Sequence, residues 1–184
     1  MNIRNYFLIA VGGAVIGAAS GFALRAFDDR RADDLASPVP VVREVDQLPA
    51  FAYRDLEGKL RNSSEFADKV VVLNFWATWC PPCRKETPEF VAMQDAFNNS
   101  VQFIGIAIDD AEPVREFANG FKMNYPVLLG DVDAVALSRR LGNRYEGLPF
   151  TVVMKPGGNV VLRHAGGIER GQLEPLLREL TTPG

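Results

Sequence analysis

Cysteine and histidine are scarce in this chain. Two cysteines, Cys80 and Cys83, and a single histidine, His164, stand in 184 residues. So few leave no structural disulfide framework, and carboxylates would have to complete any tetrahedral zinc site. Charge of one sign is missing too: the net charge is −3, with no basic patch and no run of like charge. That argues against nucleic acid as a partner. No internal repeat is evident. What is present is ordinary core material, 47% apolar against 23% charged residues, enough for a globular domain held by packing.

Both cysteines fall in one motif, Trp79-Cys80-Pro81-Pro82-Cys83, between an apolar run at 70–76 and a segment that reads as helix. Strand, short turn and helix would put Cys80 at a helix N-terminus, where unpaired N–H groups and the helix dipole favour a thiolate. Cys83 shares that helix face and can attack a mixed disulfide formed at Cys80. The motif therefore reads as a dithiol–disulfide exchange pair. Two blander readings compete. Half of a zinc site lacks further Cys or His ligands, and a structural disulfide closing so short a loop constrains the unfolded chain little.

Residues 1–5 form a short head, and 6–24 carry no charge. As a helix, the second stretch nearly spans a bilayer core of about 30 Å. It reads as a membrane anchor, with a cleaved signal sequence as the alternative. Arg4 lies on one side of it and Arg25, Arg30 and Arg31 on the other, so basic residues do not settle orientation. The expectation is a single-pass cell (inner) membrane protein in contact with lipid through 6–24, its domain facing the periplasm or extracytoplasmic space. Residues 25–47, charged and then proline-punctuated, read as an extended linker, and the folded domain as 48–184.

From there strands and helices alternate. A hairpin is expected around 56–59, a short helix capped by Ser63 or Ser64, and a buried strand at 70–76. A long helix at 82–98 should have Pro81 in its first turn and a kink at Pro88. A strand at 101–108, a helix at 113–121, a strand at 126–129 and a helix at 132–141 follow. Strands at 150–155 and 160–164 flank a Pro156-Gly157-Gly158-Asn159 turn, and a last helix covers 171–180. The fold class is α/β, a mixed central sheet with helices on both faces.

The segments VVLNFWATWCPPCRKETPEF (71–90), VQFIGIAIDD (101–110) and GLPFTVVMKPGGNVVLRHAGGI (147–168), with PAFAYRDLEGK (49–59), carry a resemblance. In that order the chain resembles the thioredoxin-like thiol–disulfide oxidoreductases, and within them the membrane-tethered TlpA/ResA/CcmG type. The resemblance implies a thioredoxin-like fold with Cys80 as the exposed attacking thiol and Cys83 as the buried resolving thiol. Pro149 matches a proline that packs cis against the cysteine pair, with Leu148 at the edge where an extended substrate docks. Glu86 matches an acid that handles the Cys83 proton, and Asn74 stands where thioredoxin proper has an acid. Trp79 is expected to shield Cys80, Pro81 and Pro82 to tune the pair, and His164 to be a surface or core-edge residue.

The resemblance further implies a protein-disulfide reductase needing no dissociable cofactor. Its partners would be a disulfide-bearing protein, such as apocytochrome c or a copper chaperone, and a membrane electron donor. A disulfide oxidase or isomerase, a peroxidase of the peroxiredoxin branch, and a non-catalytic chaperone or metal-holding module are the alternatives.

Overall fold

The computed structural model describes residues 45–182. The expected anchor at 6–24 and most of the linker lie outside the described residues. Among those described, no helix is long and apolar enough to cross a membrane.

Seven strands form one sheet: β1 (Ala52–Asp55), β2 (Leu60–Asn62), β3 (Val70–Trp76), β4 (Val101–Ala107), β5 (Val127–Leu129), β6 (Phe150–Met154) and β7 (Val160–Ala165). Their order across the sheet is β2-β1-β5-β4-β3-β6-β7. Strands β3, β4 and β5 run parallel, while β6 is antiparallel to β3 and β7 to β6. A 3-10 turn at Ser63–Phe66 precedes β3. Four α-helices complete the domain: α1 (Pro81–Phe97), α2 (Ala111–Phe121), α3 (Val132–Arg140) and α4 (Arg170–Thr181).

Every residue of β3 is buried, because the central strand is covered on both faces. Its alternating side chains divide the core. Val70 and Val72 pack with Phe90 and Met93 of α1 and Leu173 and Leu177 of α4. Val71, Leu73 and Phe75 pack on the other face with Ala134 and Leu137 of α3, Leu141, and Phe66 of the turn. Helices α1 and α4 thus cover one face and α3 the other, giving the expected mixed sheet between helices. Helix α2 joins the first face through Val114 and Phe117, which meet Trp76 and Ala107.

Element ends differ from the sequence expectation by a residue or two, as fraying termini do. Pro88 lies inside a helix that continues through it. At the other end of the domain, Val45 to Gln47 are already bonded to the fold. Val45 N–H donates to Arg140 O at 3.0 Å, Arg163 donates to Val45 O at 2.8 Å, and Gln47 forms a bridge with Asn159.

The topology fixes where the chemistry gathers. The carboxyl ends of β3 and β4 point to one end of the sheet, and β6 starts there, with Phe75 opposite Phe150. The Cys80 turn, Asp109 and Pro149 therefore meet at one end.

Candidate active site

Strand β3 ends at Trp76, and the turn 77–79 delivers Cys80 as the N-cap of α1. Two groups hold that turn. The Thr78 N–H donates to Asp109 Oδ2 at 3.0 Å and the Thr78 hydroxyl donates to the same oxygen. Arg84, lying over the rings of Phe117 and Phe121, donates to Thr78 O at 3.3 Å. Partial burial opposes ionisation of Asp109. Its hydrogen bonds from Thr78 and Asp110 outweigh that and hold the carboxyl below its ordinary value.

Cys80 and Cys83 are joined in a disulfide. Pro81 and Pro82 occupy the first positions of α1 and have no N–H, so the donor aimed at the cap is that of Cys83, 3.3 Å from Cys80 Sγ. The sequence expectation of an exposed Cys80 does not hold for this oxidised state: Cys80 is 3% exposed and Cys83 1%. Bonded to each other, the sulfurs pack among Trp76, Ala77 and Ala107, with Leu148 at the margin. Trp79, expected to shield Cys80, is itself 68% exposed.

Glu86 sits one turn beyond Cys83 and is 4% exposed. Asn74 Nδ2 donates to its Oε1 at 2.9 Å, and the Ile168 N–H donates to its Oε2 at 3.0 Å. Burial is the largest influence on this carboxyl and pushes it up to about 7, against the pull of those two donors. Asn74 also donates to Thr151 Oγ1 at 3.1 Å, so the amide spans two strands and a helix. Tyr125, buried nearby, is itself raised by burial and then by the Glu86 charge.

The Leu148–Pro149 bond is cis. The loop ahead of it is held by Asn143, whose Nδ2 donates to Gly147 O at 3.0 Å, and the Pro149 carbonyl accepts from Gly166 N–H at 2.9 Å. A cleft of about 440 Å³ opens between α1 and the start of α4, lined by Pro82, Lys85, Glu86, Glu89, Ile168 and Arg170 among others. Among the described residues, no group of three or more His, Cys, Asp or Glu is placed to hold a metal ion.

The fold brings Cys80, Cys83, Glu86, Pro81, Pro82, Leu148 and Pro149 to one end, while Trp79 projects from it. Sequence reasoning missed the Asp109–Thr78 clamp, Thr151 and the Ile168 N–H. The acidic pair Asp109-Asp110 just after β4 was a visible signal for the first; the other two depend on sheet register.

Residues 43–177 match the family model described as Redoxin. The chain is 30% identical over 147 residues to the thiol–disulfide oxidoreductase ResA of Bacillus subtilis, covering 78% of each protein. It is 27% identical over 140 residues to the thioredoxin-like protein YneN of the same organism, covering 74% of this chain and 79% of YneN. Among solved structures, a thiol:disulfide interchange protein of the thioredoxin family from Chlorobium tepidum is similar. It has a TM-score of 0.65 and 26% identity, and the match covers 73% of this chain and 94% of that one.

Proposed function

The chain belongs to the redoxin family, as a thioredoxin-like thiol–disulfide oxidoreductase of the ResA type, and from that premise we propose that it reduces disulfides in proteins outside the cytoplasm. The observation that carries the reading is the Cys80–Cys83 disulfide at the start of α1, beside a buried acid that titrates near neutrality.

In the reducing direction the Cys80 thiolate attacks one sulfur of a substrate disulfide. The Cys80–substrate bond forms, and the other substrate sulfur leaves as a thiolate and takes a proton. Cys83 then gives its proton to the Glu86 carboxylate and attacks Cys80 Sγ. The Cys80–Cys83 disulfide closes and the second substrate thiolate departs, so two electrons pass to the substrate. A carboxyl that titrates near 7 can take a proton and pass it to solvent at neutral pH. Pro149 and Leu148 offer an edge for the extended substrate beside the pair, and Trp79, standing out in solvent, a contact for it.

The remaining parts of the reading rest on the uncharged stretch 6–24 and on the ResA likeness. The chain is tethered to the membrane through 6–24, its domain faces the extracytoplasmic space, and a membrane protein returns electrons to the pair. Its substrates are haem-binding thiols of apocytochrome c or a copper-delivery protein of oxidase assembly. A disulfide oxidase is the second reading, since the same pair can run in reverse.

The deciding experiment is the reduction potential of the pair, equilibrated against defined dithiol buffers and read by tryptophan fluorescence. A value near or below about −230 mV is expected for a reductase with a dedicated donor; one near about −120 mV would make the protein an oxidant.

A further inference from the structure

His164 lies in β7 directly opposite Thr151, which lies directly opposite Asn74. Paired residues on adjacent strands share a face. The three therefore form a row across the sheet, and Glu86 rests on the first of them through the Asn74 amide. Beyond β7 the chain turns back at Gly166, whose φ of 91° suits glycine. Gly167 then passes close to α1: a Cβ there would stand 3.4 Å from Pro82 Cβ and 3.9 Å from Glu86 Oε2.

One peptide unit of this turn is held from both sides. Its carbonyl, that of Gly167, lies 3.1 Å from His164 Nε2. Its N–H, that of Ile168, donates to Glu86 Oε2 at 3.0 Å. A carbonyl only accepts, so His164 carries its proton on Nε2, in the neutral ring and the protonated ring alike. The peptide is planar, so fixing the carbonyl fixes the direction of the N–H. A donor on the carbonyl also polarises the amide and strengthens its N–H as a donor.

We propose that His164 is a positioning residue for disulfide exchange: by holding the Gly167 carbonyl it aims the Ile168 N–H at Glu86 and sets how readily that acid takes the proton of Cys83. This rests on the role given to Glu86 above. The half-buried ring thus reaches a buried carboxyl through a single amide. Lys85 and Glu89 of α1 and Glu169 and Arg170 at the start of α4 line the cleft beside Glu86, and Tyr125 ahead of β5 feels its charge. Among the described residues, none of these groups hydrogen-bonds to the Gly167 carbonyl.

The test is the pH profile of ring closure. Full-length reduced protein is mixed with glutathione disulfide, and the Cys83-dependent phase is followed by tryptophan fluorescence. His164→Leu removes the donor while keeping bulk, and should move the midpoint of the profile upward by about half a unit to one unit, the size of one lost hydrogen bond. His164→Gln, which restores an N–H at the same reach, should return it to the parent value. In a Glu86→Gln background, His164→Leu should change nothing further. A carbon-13 titration of the Glu86 carboxyl gives the same shift without turnover.

If Glu86→Gln alters the profile but His164→Leu does not, the positioning role is wrong and the Glu86 reading stands. If Leu and Gln at 164 shift the midpoint alike, His164 acts only as packing and the proposal falls. If Glu86→Gln leaves the profile unchanged, the Glu86 reading fails and takes this one with it.

Discussion

At the scale of single residues, the two sulfurs have different jobs. Cys83→Ser removes the group that closes the ring, so it should trap a covalent Cys80–substrate disulfide, seen as a reducible higher-mass band on gels. Cys80→Ser should trap nothing and lose turnover outright; a binding module would instead keep its client. Glu86 makes a prediction about stability. Its folded value of about 7 lies above the ordinary 4.5. The native state therefore holds the proton longer than the unfolded chain does. Stability is fully present below about pH 4.5 and is lost as pH rises through about 7. The loss between pH 5 and 8 is about 2–3 kcal/mol. Glu86→Gln should flatten this slope, measured as urea midpoints at the two pH values. The motif, Glu86 and Pro149 were legible in the sequence because each is carried by local spacing or by the family pattern. The donors that seat Glu86 were not. Thr151 is 77 residues from Asn74 and Ile168 82 from Glu86, and only the strand order brings them together.

Among the elements, α4 is docked by a few residues that carry much of its attachment. Leu173 and Leu177 are fully buried against the β3 and α1 side of the sheet. Leu177→Ala should cost about 2–5 kcal/mol in chemical denaturation. Leu60→Ala, on a strand residue that is half exposed, should stay within about 0.5 kcal/mol. Because α4 follows the turn that roofs Glu86, loss of its docking should also weaken the Ile168 donor and move the midpoint of the pH profile upward. Most elements were readable: β3, apolar but for Asn74, the hairpin turn at 156–159 and the proline-started α1 all announce themselves. Burial of Cys80 was not readable, because it comes from packing with residues such as Ala107 of the neighbouring strand rather than from any pattern near the motif.

For the whole molecule, the proposal divides into a redox domain and a tether, and the two can be separated. The full chain should stay with the membrane fraction after an alkaline carbonate wash, whereas a chain starting at residue 42 should be released and keep the same reduction potential. Recovery of the full chain in the soluble fraction would remove the anchoring half and leave the exchange chemistry untouched. The sequence placed the end of the linker at residue 47, since a short polar stretch gives no sign that it will pair with a strand far along the chain. Arg163 supplies the missing partner, reaching Val45, Asp46 and Leu141 at once.

That grip has a mechanical meaning. Any pull on the chain ahead of Val45 is delivered first to Arg140 at the end of α3, to Arg163 and to the Gln47–Asn159 bridge, the last two at the outer edge of the sheet. Strand β6 separates that edge from β3, which presents Cys80. Tension is thus shared between that rim and the end of α3, neither of which carries a cysteine.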